Sequence, residues 1–87
     1  MVDEVQKLVR KELEKARCDL RATQKNLNTS GNLLQRSGKP SVQRWHNRCA
    51  NRHCAALQRV ENIEDFMRAR NMLSWKERIS IRLRRIN

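Results

Sequence analysis

Proline occurs once and glycine twice in 87 residues, tyrosine is missing, and phenylalanine and tryptophan together number three. So few chain breakers exclude a turn-rich architecture and point to long helices. The scarcity of aromatics argues against a binder of single strands, which stacks successive bases on aromatic platforms. No apolar run approaches the roughly 20 residues that a membrane-spanning helix requires. The three cysteines are an odd number without framework spacing, and no signal peptide precedes them. Free thiols in a reducing, cytoplasmic interior are therefore expected. Asn28-Thr29-Ser30 matches the glycosylation pattern, but without a secretory signal it is read as chance. There is no glycine-rich phosphate loop and no clustered carboxylate pair. A Cys–His pair can in principle activate a thiolate, but nothing else here supports catalysis, and no enzyme is expected.

The most informative absence is of acid. From Leu20 through Val60 the chain carries eight Lys/Arg and no Asp or Glu. Overall, 20 basic residues against nine acidic give a formal charge of +11. The bland explanation is a solvated surface tuned for solubility. A stretch of this length without one acid points instead to a polyanionic partner: nucleic acid, an anionic membrane or an acidic protein.

What is present organises into helices. Leu13, Leu20, Leu27 and Leu34 recur every seven residues, and Ala16, Thr23 and Ser30 fall three after the first three of them. Val9, with Val2 or Val5, extends this heptad seam. It predicts a first helix over residues 1–36, although Asn28 and Gly31 disfavour helix locally. "RSGKPS" is the one strong turn signal. Gly38 can end the first helix, Pro40 suits a helix start and Ser41 can cap the second. Val42, His46, Cys49, His53, Ala56, Val60, Ile63 and Met67 then alternate at spacings of four and three, which predicts a second helix over residues 41–73. Ser74-x-x-Glu77 reads as a capping box opening a third, basic amphipathic helix over residues 74–87. Trp75, Ile79, Leu83 and Ile86 share one of its sides, and Lys76, Arg78, Arg82 and Arg85 surround the other. "ISIRLRRI" also alternates with period two, leaving a short strand as a minor alternative. The expected fold is all-α: one domain, a long antiparallel helical hairpin plus a short C-terminal helix.

A turn at residues 37–41 sets opposite each other residues whose numbers sum to about 76. Thr23 then meets His53 and Ser30 meets His46, while Leu27 faces Cys49, Leu20 faces Ala56, Ala16 faces Val60, Leu13 faces Ile63 and Val9 faces Met67. Large residues oppose small ones in several layers, as close helix packing requires. The apolar flanks beside this seam, Leu57, Ala50 and Cys54 on one side and Trp45 and Phe66 on the other, exceed what one hairpin covers. A homodimer is expected, with the third helix available to dock there too.

Within "SVQRWHNRCANRHC", Ser41 to Cys54, three chemistries compete. His46 with Cys49, or Cys49 with His53, has chelating spacing, but the two histidines are about 10 Å apart along a helix axis. Zinc needs four ligands, and Cys18 and Cys54 do not complete the set. Polar layers inside the hairpin are the better reading, and no metal or cofactor is expected. The arginines carry more. Arg44, Arg48 and Arg52 form an outward i,i+4 stripe, flanked by Asn47 and Asn51 and continued by Arg59. Arg17, Arg21 and Lys25 form a similar row on the first helix, and Arg36 and Lys39 stand beside the turn. Cations interleaved with amides suit phosphate oxygens and ribose hydroxyls without reading bases.

A small, basic, all-helical chain built on a long hairpin resembles the nodavirus-type suppressors of RNA silencing. It is also similar in outline to plasmid-encoded helical-hairpin RNA binders. The sequence "KPSV", Lys39 to Val42, looks like a turn in the nodaviral proteins, although a long helix follows it here where theirs is short. The resemblance is architectural, covers the hairpin and transfers no functional residue. It implies a viral, dimeric binder of double-stranded RNA in the host cytoplasm that shields the duplex from processing. The competing expectations are a helical interaction or ribonucleoprotein module, and a protein that contacts membrane through residues 74–87.

Overall fold

The computed structural model describes residues 2–86; the side chain of Val2, expected in the seam, lies outside it, as do the two terminal residues. Three helices account for nearly all of it: α1 (Val2–Ser37), α2 (Pro40–Ala69) and α3 (Trp75–Ile86). The first two form the expected antiparallel hairpin, and the described residues contain no strand. The molecule is a flat rod, 53 × 25 × 14 Å in Cα extent.

The turn follows the glycine–proline chemistry, with one correction. Gly38 has φ +61°, and its N–H reaches the Leu34 carbonyl at 2.9 Å. A left-handed residue is what lets the chain leave α1. The N-cap of α2 is Lys39 and not Ser41. Lys39 is extended, makes no side-chain cap bond and is followed by Pro40 at the first helical position. Proline's fixed φ and missing N–H suit that position and move the start one residue before the serine.

α2 ends at Ala69, four residues before the expected Leu73. The stop is Asn71, left-handed at φ 55°. Its N–H bonds the Arg68 carbonyl at 3.2 Å, and the Met72 N–H bonds the Met67 carbonyl at 2.8 Å. That is a Schellman closure with asparagine in place of glycine, and Met72 packs on the core as the closure favours. The capping box opens α3 as expected: Glu77 N–H to Ser74 Oγ at 3.2 Å, and Ser74 N–H to Glu77 Oε1 at 3.1 Å.

The core is the predicted seam. Leu13, Ala16, Val60 and Met67 are buried, with Val9, Leu20 and Ile63 packed against them. Leu73 and Ile81 close the cluster at the open end of the hairpin. Towards the turn the seam becomes polar, in two matching layers. Ser30 Oγ donates to the Leu27 carbonyl at 3.0 Å and lies 2.9 Å from His46 Nδ1. Thr23 Oγ1 donates to the Leu20 carbonyl at 2.9 Å and lies 3.2 Å from His53 Nδ1. Each hydroxyl has a single proton, so where it is given to the helix carbonyl the imidazole donates its Nδ1–H to the oxygen, and in the other tautomer Nδ1 accepts the hydroxyl proton instead.

The two glycines make opposite predictions for one chemical change. A Cβ at Gly31 would meet the His46 ring at 3.5 Å, ordinary contact, within a continuous helix. Gly31→Ala should therefore stabilise by about 0.5–1 kcal/mol through helix propensity. Gly38→Ala has open space but a left-handed backbone, and should destabilise by about 1 kcal/mol. Thermal unfolding followed by circular dichroism should show the midpoint move up for the first and down for the second.

Candidate nucleic-acid interface

Folding at Gly38 lays residues 20–37 of α1 beside residues 40–60 of α2, so the acid-free stretch becomes one end of the rod, about 30 Å long. It holds eight of the 20 cations and none of the nine acids. The acids collect at the open end, from both helix termini of the hairpin and from α3. Five of them, Glu12, Asp19, Glu64, Asp65 and Glu77, are answered by arginine. Arg10 donates to Glu77 at 3.1 and 3.0 Å and to the Met72 carbonyl at 2.9 Å. Arg17, Arg84 and Arg85 converge on the carboxylate of Glu64, which is 1% exposed. Arg85 also reaches Asp65 at 2.9 Å. Arg59 bridges to Glu12 at 3.0 Å and Asp19 at 3.4 Å.

The two halves of the rod therefore differ in kind. Arg44, Arg48 and Arg52 are exposed and make no ion pair or side-chain hydrogen bond among the described residues. They stand one turn apart, about 6 Å per step along the axis. Asn47 and Asn51 are exposed beside them, Asn47 accepting from Gln43 at 2.9 Å. Lys25, Arg36 and Lys39 are exposed at the same end. Among the described residues Arg21 makes no ion pair and donates one side-chain hydrogen bond, to the thiol of Cys18 at 3.3 Å.

Two of the expected site residues are already engaged. Arg59, which closes the α2 row, and Arg17, which opens the α1 row, are held by carboxylates. Nor do the two rows share a face. Arg59 meets Asp19 across one broad face of the hairpin, while Arg17 meets Glu64 across the other. Asp19 and Arg17 are about 160° apart around α1, and Arg59 and Glu64 about 140° apart around α2. The structure thus brings together Arg44, Arg48, Arg52, Asn47 and Asn51 on one continuous stripe. It sets Arg21 and Lys25 elsewhere.

α3 lies on the Glu64 side, and it docks there mainly through ionic contacts and not on the apolar flanks expected to be available to it. Glu77, Ile81, Arg84 and Arg85 face the hairpin, and Ile81 is the one buried apolar residue of the helix. Trp75, Ile79, Leu83 and Ile86 are exposed. The surface offered to α3 is charged by Arg10, Arg17, Glu64 and Asp65, so an ionic face fits it better than an apolar one.

The carboxylate clamp is the feature that the stripe reading passes over. Glu64 falls four after Val60 and three before Met67, on the buried line, a spacing visible in the sequence. Glu77, at the start of α3, is held from 4.5 down to about 2, by the Arg10 hydrogen bond first, against partial burial and with help from Ser74. The partner Arg10 is raised by the same bond, and Arg85 is raised by Asp65. A depressed carboxylate contributes stability that is full above pH 4.5 and lost as pH falls towards 2. The melting temperature should fall through that window, and less steeply in Glu77→Gln, which keeps the capping box but not the charge.

Among the described residues no group of three or more His, Cys, Asp or Glu is placed to hold a metal ion. All three cysteines are free thiols, Cys49 buried and Cys18 and Cys54 exposed. Among the described residues no helix is long and apolar enough to cross a membrane. No protein-family model matches the chain, and no curated protein or solved structure matches it.

Proposed function

We propose that the chain binds double-stranded RNA through the acid-free end of its hairpin, recognising duplex shape and phosphates without reading bases. Shielding the duplex from a processing nuclease, as a viral suppressor of RNA silencing does, is the role this activity fits best. The observation that carries the reading is the stripe of Arg44, Arg48 and Arg52, exposed and unpaired on a surface with no acid. Towards the open end Arg10, Arg17, Arg59, Arg84 and Arg85 find carboxylates; in the acid-free stretch the seven cations besides Arg59 make no ion pair among the described residues. Unneutralised charge of one sign over about 30 Å costs self-repulsion in the free protein and is relieved by a polyanion. Asn47 and Asn51 add donors and acceptors suited to ribose hydroxyls in the wide minor groove of A-form duplex.

Gel retardation with two unrelated duplex RNAs, the matching duplex DNA and the single strands tests this. The expected result is equal affinity for the two RNA duplexes, and weaker binding to single strands and to DNA. Preference for one RNA sequence, or for single strands, would overturn it.

The same reading includes a homodimer. Leu8, Val9, Ile63 and Phe66 line an open apolar groove on the face away from α3, with Leu8 64% and Phe66 40% exposed. Of the flanks expected at a dimer interface, Phe66 is available in this groove. Leu57 is half-buried and shares its surface with Arg84 of α3. Light scattering should give twice the chain mass of 10.4 kDa at micromolar concentration; a single-chain mass would remove the dimer. This groove is also what favours the second reading, a helical interaction module, should duplex binding fail.

A further inference from the structure

α3 is amphipathic on two opposite sides, and the hairpin uses only one of them. Glu77, Ile81 and Arg84 project within about 60° of one another towards the hairpin, where the ionic contacts of Arg84 and Arg85 hold the helix. Trp75, Ile79, Leu83 and Ile86 project on the far side within about 80°. They are 67%, 49%, 61% and 71% exposed. No other element rises beside them, so they form a protruding ridge and not a groove. Lys76 borders the ridge on one edge, with its ammonium 5.8 Å from the Trp75 ring. Arg82 and Arg78 border the other, Arg78 anchored to Asn71 at 2.9 Å.

We infer that this ridge is an anchor for the surface of an anionic phospholipid bilayer. Three features select that occupant. A convex apolar ridge needs a deformable partner, which the boundary between headgroups and acyl chains supplies. Its cationic borders need negative charge beside the apolar layer, and Trp75 is the residue type that settles at that depth. A second copy is the poorer occupant, because ridge against ridge would set Lys76, Arg78 and Arg82 beside their own counterparts. α3, at 12 residues, would lie along the surface and not cross it. The inner ion pairs can stay closed meanwhile, leaving the arginine stripe of α2, at the far end of the rod, free for a duplex. The inference does not depend on duplex binding.

The test is vesicle flotation of the full chain without nucleic acid, using phosphatidylcholine vesicles with and without phosphatidylserine. A chain of charge +11 will adhere to anionic vesicles to some extent through any cation, so the apolar part must be read separately. Trp75→Ala with Leu83→Ser removes exposed side chains and no charge. It should weaken binding to phosphatidylserine vesicles at least tenfold while leaving helicity and duplex-RNA affinity unchanged. Lys76→Gln with Arg82→Gln should weaken binding by about fivefold per residue. In a Trp45→Phe background, Trp75 emission should move to the blue on anionic vesicles. No preference for phosphatidylserine, or equal binding by the Trp75/Leu83 variant, would overturn the inference. So would a Trp75/Leu83 variant that converts a two-chain particle to one chain, since a second copy would then be the occupant.

Discussion

Replacing Arg44, Arg48 and Arg52 together by alanine is expected to weaken binding to any duplex RNA by a factor on the order of 10²–10³ at physiological salt. Each arginine is exposed and makes no ion pair or side-chain hydrogen bond with the rest of the described protein, so its guanidinium is available in full to phosphate. The slope of log affinity against log salt should flatten by about one unit per residue removed, about three in all. The ranking among RNA sequences should not change, because phosphate contacts carry no base information. Fold and melting temperature should survive, since no ion pair or side-chain hydrogen bond among the described residues is lost. Arg17 and Arg59 should behave differently. They neutralise Glu64 and the Glu12–Asp19 pair, so alanine there should loosen the open end of the rod and change RNA affinity little. A triple variant that folds and binds as well as the parent would place the binding face elsewhere.

The largest effect on stability is expected at Glu64. Its carboxylate is 1% exposed and takes the charges of Arg17, Arg84 and Arg85. Glu64→Ala removes the one group that reconciles three guanidiniums and opens a space beneath α3. The expected cost is about 2–4 kcal/mol. It falls short of the top of the range for buried pairs because the arginines remain 31–41% exposed and can hydrate. Urea unfolding measures the loss. Hydrogen exchange should show α3 losing protection while the α1–α2 seam near Val60 keeps it. A loss below about 0.5 kcal/mol would mean that α3 is held by Leu73 and Ile81 alone.

The hairpin was legible because several independent signals agreed. The leucine heptad, the four–three stripe and the glycine–proline turn fix one register, and that register sets Ser30 against His46 and Thr23 against His53. The end of α2 was less legible. The apolar spacing continues past Ala69, but Asn71 can take a left-handed backbone and stops the helix there. The face that α3 turns inward was not legible from periodicity at all. Burying the apolar side is the rule when the receiving surface is apolar. Here that surface is made by Arg10, Arg17, Glu64 and Asp65, of which Arg10, Glu64 and Asp65 hold α3 through Glu77, Arg84 and Arg85. Likewise, the sequence grouped Arg17 and Arg59 with the free arginines. Only the fold brings acids from distant parts of the chain within reach of them.

The most direct measurement is amide NMR of the full chain during titration with a duplex RNA of arbitrary sequence. Binding through the acid-free end predicts chemical-shift changes concentrated between residues 20 and 60, strongest along α2 at Arg44, Arg48 and Arg52. The seam near Leu13 and Met67 should stay unmoved, and so should α3. Changes concentrated in α3 and the open end, or no change at concentrations that saturate a micromolar binder, would contradict it.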